Sequence, residues 1–186
     1  MRGHSVSEPF ELPINFYCIH EKAFKVEIQY EGRNFFQMGT VTEGWSYSPN
    51  QADSMPQRMS IEELQKGQEY FDLHGPFIDY IKKGNRLEYT GTKKINNKDF
   101  LEVKLTRPNG HVMLYYLDEQ YLISQTVETL EDSIDKITTY SNYKKTSSGL
   151  VFPFTWSISH SSTQIDAIEV NPTIDINMFK LKKYRG

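Results

Sequence analysis

Cys18 and His20 stand two residues apart in the run Leu12 to His20, which reads as a β-strand, so both side chains point to the same side and could pair as a thiol–imidazole nucleophile. Such a pair needs a third group to orient the imidazole, and no residue nearby supplies one. A strand cysteine also fits a plainer role as a small buried hydrophobe. His4, His20, His74, His111 and His160 are scattered without the helical spacing of paired metal ligands, so no metal is expected. Asp72, His74 and Asp79 gather around Gly75-Pro76 and form a second-rank candidate for orienting a ligand, with caps and turn contacts as the competing role. There is no Gly-x-Ser-x-Gly elbow, no phosphate-cradling glycine loop and no dinucleotide fingerprint. Asn171-Pro172-Thr173 fails as a glycosylation site because proline holds its middle position. The expectation is a protein that is not an enzyme and uses no cofactor.

Composition narrows the partners. Across 186 residues, 21 Lys+Arg against 24 Asp+Glu give a net charge of -3, without the basic stripe that a phosphate backbone demands, so nucleic acid is not expected. Aromatic residues reach 13%, with 12 Tyr and 11 Phe, which suits sheet faces that are half buried or line an apolar groove. The one cysteine forms no internal disulfide and identifies no compartment. No apolar run is long enough for a membrane helix, and Met-Arg-Gly-His-Ser lacks the apolar core of a signal peptide. Residues 1–10 are therefore set apart as a disordered or appended start, and residues 11–183 as one domain.

One stretch reads as helix. In Ser60 to Tyr80, Ser60 and Glu63 form a capping box, Ile61, Leu64 and Phe71 share a helical face, and Phe77, Ile78 and Ile81 resume it after Gly75-Pro76. Almost everything else reads as short strands. Phe24, Val26, Ile28 and Tyr30 alternate with Lys25, Glu27 and Gln29, predicting one buried and one wet face. Strands follow at Phe35 to Val41 and Trp45 to Tyr47, then a loop from Asn50 to Arg58. A hairpin is predicted around Asn96-Asn97, a turn at Pro108-Asn109-Gly110, and strands at His111 to Asp118, Tyr121 to Glu128, Ile134 to Tyr143, Leu150 to Ser159 and Gln164 to Asn171. Ten or so strands with short turns predict a mainly β chain: a curved antiparallel sheet forming an unclosed barrel, closed on one side by a helical insert at 60–82 acting as lid or plug.

The apolar faces then define a candidate cavity. Leu150, Phe152, Phe154, Trp156 and Ile158 occupy alternate positions of one strand, and Val112 to Leu117 is apolar on both faces. The predicted lining is Phe24, Val26, Ile28, Phe36 and Trp45 from the first strands, then Ile61, Leu64, Phe71, Phe77 and Ile78 from the lid. Leu114, Tyr116, Phe152, Phe154 and Trp156 complete it. An apolar cavity without charged anchors suits an acyl chain or an apolar peptide.

The ordered series Glu43-Gly-Trp-Ser-Tyr-Ser-Pro49, Pro56-Gln-Arg-Met-Ser60, Phe71-Asp-Leu-His-Gly-Pro-Phe-Ile-Asp-Tyr80, Gly91-Thr-Lys-Lys-Ile95 and Phe100-Leu-Glu-Val-Lys-Leu105 continues through Tyr115-Tyr-Leu-Asp118, Tyr140-Ser-Asn-Tyr143 and Gly149-Leu-Val-Phe-Pro153 to Val170-Asn-Pro172. Over about Glu11 to Lys183 it resembles the LolA-like outer-membrane lipoprotein-sorting proteins, in their divergent branch. The resemblance implies an unclosed β-barrel with a helix-covered hydrophobic cavity, and carriage of lipoprotein acyl chains through the periplasm as a monomer. Inner-membrane release and outer-membrane acceptor proteins would be its partners. A sensor of envelope stress, or a protein-interaction module on the same fold, is the alternative. Members of the family begin with a signal peptide, a helix and a first strand, and this chain is expected to lack all three. The arginine inside the cavity of such carriers has no matching position here.

Overall fold

A computed structural model describes residues 1–49, 55–67, 72–129 and 135–181. Phe71, most of the Asn50 to Arg58 loop and the start of the strand predicted from Ile134 lie outside them. The described residues are mainly β, with strands in the order β1 (Arg2–Ser7), β2 (Phe10–Ile19), β3 (Ala23–Tyr30), β4 (Arg33–Thr40), β5 (Gly44–Tyr47) and β6 (Gln57–Arg58). After helix α1 (Ile61–Gly67) come β7 (Arg86–Ile95), β8 (Lys98–Thr106), β9 (Val112–Leu117), β10 (Ile123–Glu128), β11 (Lys136–Lys145), β12 (Val151–Ile158), β13 (Ser161–Ala167) and a 3-10 turn at Ile176–Phe179. All thirteen strands form one antiparallel sheet in the order β6-β5-β4-β3-β2-β1-β13-β12-β11-β10-β9-β8-β7, which leaves β6 and β7 as edges, so the sheet is not closed.

Tight hairpins set the register. Glu31 and Gly32, at φ 49° and 72°, make the two-residue turn between β3 and β4, and Asn96 and Asn97, at φ 48° and 63°, do the same between β7 and β8. Both turns hold two successive residues at positive φ, the geometry whose twist matches paired strands. Asparagine tolerates it, which is why Asn96-Asn97 was legible as a hairpin.

The chain divides into two compact units, Met1–Leu73 with Ile165–Gly186, and His74–Gln164, with β13 contributing to both. In the first, the core holds Ile14, Ala23, Phe24, Met38, Ile165 and Phe179, with Phe24 only 1% exposed. The 3-10 turn packs on β3 and β4 and is capped by Asp175, whose Oδ1 accepts from the Asn177 amide at 2.9 Å. In the second, the core holds Leu105, Tyr115, Tyr116 and Phe154, with Thr126 and Thr138 buried opposite each other on β10 and β11.

Several expectations are corrected. Residues 1–10 are not a disordered start: Arg2–Ser7 pairs along β2 from Arg2 opposite Asn15 to Ser7 opposite Phe10, so a strand does precede Leu12. Gln57–Arg58, read as loop, is a short edge strand on β5. The last strand is Ser161–Ala167, ahead of the predicted Gln164 to Asn171, because Ser159 at φ 51° allows a two-residue turn directly after β12. The helix described is Ile61–Gly67, and residues 73–84 are turns rather than its continuation. Gly75 at φ 73° breaks the helical path, and Gly84 at φ 72° ends the last turn, where the amides of Gly84 and Asn85 donate back to the carbonyls of Ile81 and Tyr80 at 2.9 and 2.8 Å.

The hairpin geometry makes a direct prediction. Asn97→Val places a β-branched residue at positive φ and is expected to cost about 1–2 kcal/mol, read as a lower urea midpoint. An unchanged midpoint would contradict the left-handed turn.

Candidate functional site

Residues directly opposite in an antiparallel pair project to the same face, so register decides which candidates can meet. In the first unit, Cys18, Phe24 and Gly39 are opposite one another, as are Phe16, Val26 and Gln37, and then Ile14, Ile28 and Phe35. Phe24, Val26 and Ile28 therefore share a face. Phe36 and Trp45 do not join them. Phe36 opposes Glu27 and Tyr47, and Trp45 opposes Met38 beside Lys25, on the other side of the sheet.

That other side is not the wet face the alternation suggested. Lys25 and Glu27 are 17% and 25% exposed and pair at 2.6 Å. The Lys25 ammonium also lies 5.8 Å from the centroid of Phe36, whose ring is tilted against Tyr47 at 5.5 Å. Charge is tolerated there because it is paired and shielded by aromatic rings.

Helix α1 lies on the Phe24 face. Its capping box is formed as read, with the Ser60 amide donating to Glu63 Oε2 at 2.7 Å and the Glu63 amide to Ser60 Oγ at 3.2 Å. A Cβ on Gly67 would come within 3.0 Å of the Phe24 ring, and one on Gly39 or Gly44 within 3.1 or 3.0 Å of Leu64 Cδ1. Glycines on both sides of the contact let the helix backbone reach the sheet. Leu64 is half-buried in this packing, whereas Ile61 is 78% exposed.

In the second unit, Leu87, Leu105 and Met113 are opposite one another, and so are Tyr89, Val103 and Tyr115. From Tyr115 the pairing passes through Thr126 and Thr138 to Ile158, which places Phe152, Phe154 and Trp156 on the Tyr115 face. Leu114 and Tyr116 oppose Lys104 and Glu102 and belong to the reverse face. Phe77 packs edge-on against Tyr115 with centroids 4.8 Å apart, while Ile78 is 56% exposed. The residues that sequence reasoning passed over on this face are Leu105, Met113 and Tyr115. The alternation of Leu101, Val103 and Leu105 with Glu102 and Lys104 was the available signal, once aligned with its partner strand. Lys144 was also missed: it opposes Phe152 and sets its ammonium 4.7 Å from the centroid of Phe154.

The expected single cover is thus two pieces, α1 on the Phe24 face of the first unit and Phe77 on Tyr115 in the second.

Cys18 lies on the Phe24 face, and burial, followed by the charge of Asp72, pushes its thiol up to about 11, the opposite of an activated nucleophile. His20 approaches Glu21 at 3.8 Å. Asp79 pairs with Lys82 at 3.1 Å on an exposed turn, and His74 is exposed. His4 meets Asp166 at 3.2 Å, and His111 meets Glu128 at 3.0 Å, whose other oxygen takes Lys136 at 3.2 Å. Among the described residues no group of three or more His, Cys, Asp or Glu could hold a metal ion. Burial raises the phenols of Tyr116 and Tyr143 to about 12, helped in Tyr116 by its hydrogen bond to Glu102. The Tyr143 hydroxyl donates to the Ile123 carbonyl at 2.6 Å.

No protein-family model matches the chain, and no curated protein matches it significantly. Solved structures do. A domain from Vibrio parahaemolyticus described as an outer membrane lipoprotein-sorting protein superimposes with a TM-score of 0.63 at 14% identity, covering 96% of this chain and 87% of that one. A LolA superfamily protein from Nitrosomonas europaea gives 0.58 at 12% identity, with coverage of 90% and 84%. A DUF1329 family protein from Desulfovibrio piger gives 0.56 at 10%, with coverage of 96% and 87%. The fold is LolA-like.

Two measurements check this chemistry. At pH 8 the native Cys18 thiol should react with Ellman's reagent more than about tenfold slower than in unfolded protein, and equal rates would refute its burial. Between pH 10 and 12 the unfolded phenols ionise while Tyr116 and Tyr143 keep their protons. The unfolded state then binds fewer protons, so the stability these two phenols contribute below pH 10 falls as pH rises. Denaturation midpoints that stay flat over that range would refute it.

Proposed function

We propose that this chain is a periplasmic carrier, not an enzyme, that holds the acyl chains of a lipoprotein or another lipid against an apolar sheet face. The observation that carries the reading is the register of the second unit, which gathers Leu105, Met113, Tyr115, Phe152, Phe154 and Trp156 on one face of a LolA-like fold. Adjacent apolar side chains on one sheet face offer an acyl chain a continuous surface, at about 25 cal/mol per Å² removed from water. Phe77 is the gate over that face. It sits on the turns between Gly75 and Gly84, both at positive φ, and opening this gate would require the Lys83 contact to the Gly75 carbonyl to break. Phe24, Val26, Ile28 and Leu64 form the corresponding surface of the first unit. A carrier of this kind loads from an inner-membrane release protein and unloads to an outer-membrane acceptor.

Delipidated protein is expected to bind a fluorescent fatty acid with saturable affinity, and native mass spectrometry of the purified protein should show an acyl adduct. Phe77→Ala should weaken that binding severalfold, at a stability cost of about 1–2 kcal/mol for the lost edge-on packing on Tyr115. If neither saturable binding nor an adduct is seen, and a pull-down instead recovers a defined membrane regulator, the chain is an envelope-stress sensor or interaction module on the same fold.

A further inference from the structure

We infer that Lys144 is the anchor for the negatively charged end of a fatty acid lying along the Phe152, Phe154 and Trp156 face. The inference rests on the acyl-carrier reading and narrows its cargo. Lys144 opposes Phe152 across the β11–β12 pair, so it rises from the apolar face and not from the reverse side. Its neighbour Lys145 opposes Val151 and belongs to that reverse side. Lys144 itself is exposed, yet its ammonium sits 4.7 Å from the centroid of Phe154, which is only 8% exposed. The exposed side chain therefore brings its charge over the edge of the apolar surface, against the Phe154 ring. Among the described residues no carboxylate pairs with Lys144.

An amphiphile bound with its chain on Phe152, Phe154 and Trp156 would bring its polar end to this border. One ammonium, with its neighbouring lysine on the opposite face, matches a single negative charge. A phosphate calls for a denser donor set, such as a guanidinium fork or several backbone amides, and this position offers neither. A carboxylate is thus the favoured head. The glyceryl end of an acylated lipoprotein carries no such charge, so Lys144 sets free fatty acids above that cargo.

The test compares oleate with oleyl alcohol, the same chain with a neutral head, by displacement of the neutral probe N-phenylnaphthylamine from the full chain. Lys144→Met should raise the Kd for oleate about fivefold and leave that for oleyl alcohol within about twofold. Raising the salt from about 50 to 500 mM should weaken oleate alone, and should not do so in Lys144→Met. Lys144→Arg should keep the preference, showing that charge and not shape is read. Equal effects of Lys144→Met on both ligands, or on neither, would overturn the inference while leaving the acyl-carrier reading intact. A preference for a lysophosphatidate over oleate would overturn the carboxylate assignment. If the unsubstituted protein binds neither chain, the carrier reading falls and this inference with it.

Discussion

The antiparallel register is the constraint on which the rest of this molecule depends. Two-residue turns such as Glu31-Gly32 and Asn96-Asn97 leave a hairpin no freedom to slide, and side chains alternate with a period of two. A slip by one residue would exchange the two faces of every strand downstream. Phe24 would lose its contact with α1, and Tyr115 would turn away from Phe77. Register thus decides core, cover and candidate surface together.

Glycine enters this scheme in two separate ways. At Gly39, Gly44 and Gly67 the missing Cβ brings α1 close to the sheet, where Leu64 and Phe24 meet it. At Gly75 and Gly84 the left-handed backbone shapes the turns that carry Phe77. The first use makes a close contact, and the second shapes a turn.

Charge on the two units is handled in the same physical way. Lys25 and Glu27 are half-buried as a pair beside Phe36, while the exposed Lys144 sets its ammonium over the Phe154 ring. Each aromatic ring provides both apolar area and a face that attracts a cation. The high aromatic content therefore serves faces where polar and apolar groups meet, and not only a dry core.

Much was legible in the sequence because it is local. The capping box of Ser60 and Glu63, the Asn96-Asn97 hairpin, the alternation through Phe152, Phe154 and Trp156, and the open β architecture depend on neighbours a few residues apart. What only the tertiary structure decided is which alternating sets face the same way. Phe36 and Trp45 fell on the side away from Phe24, and Leu114 and Tyr116 on the side away from Phe154, because facing is set by pairing with a distant strand. In Val112 to Leu117 both faces are apolar, so hydropathy alone could not choose between Tyr115 and Tyr116. The strand at Arg2–Ser7 escaped for the same reason: its polar residues carry little strand signal, and pairing with β2 gives it structure. Local chemistry determined the elements, and long-range hydrogen bonding determined their sides.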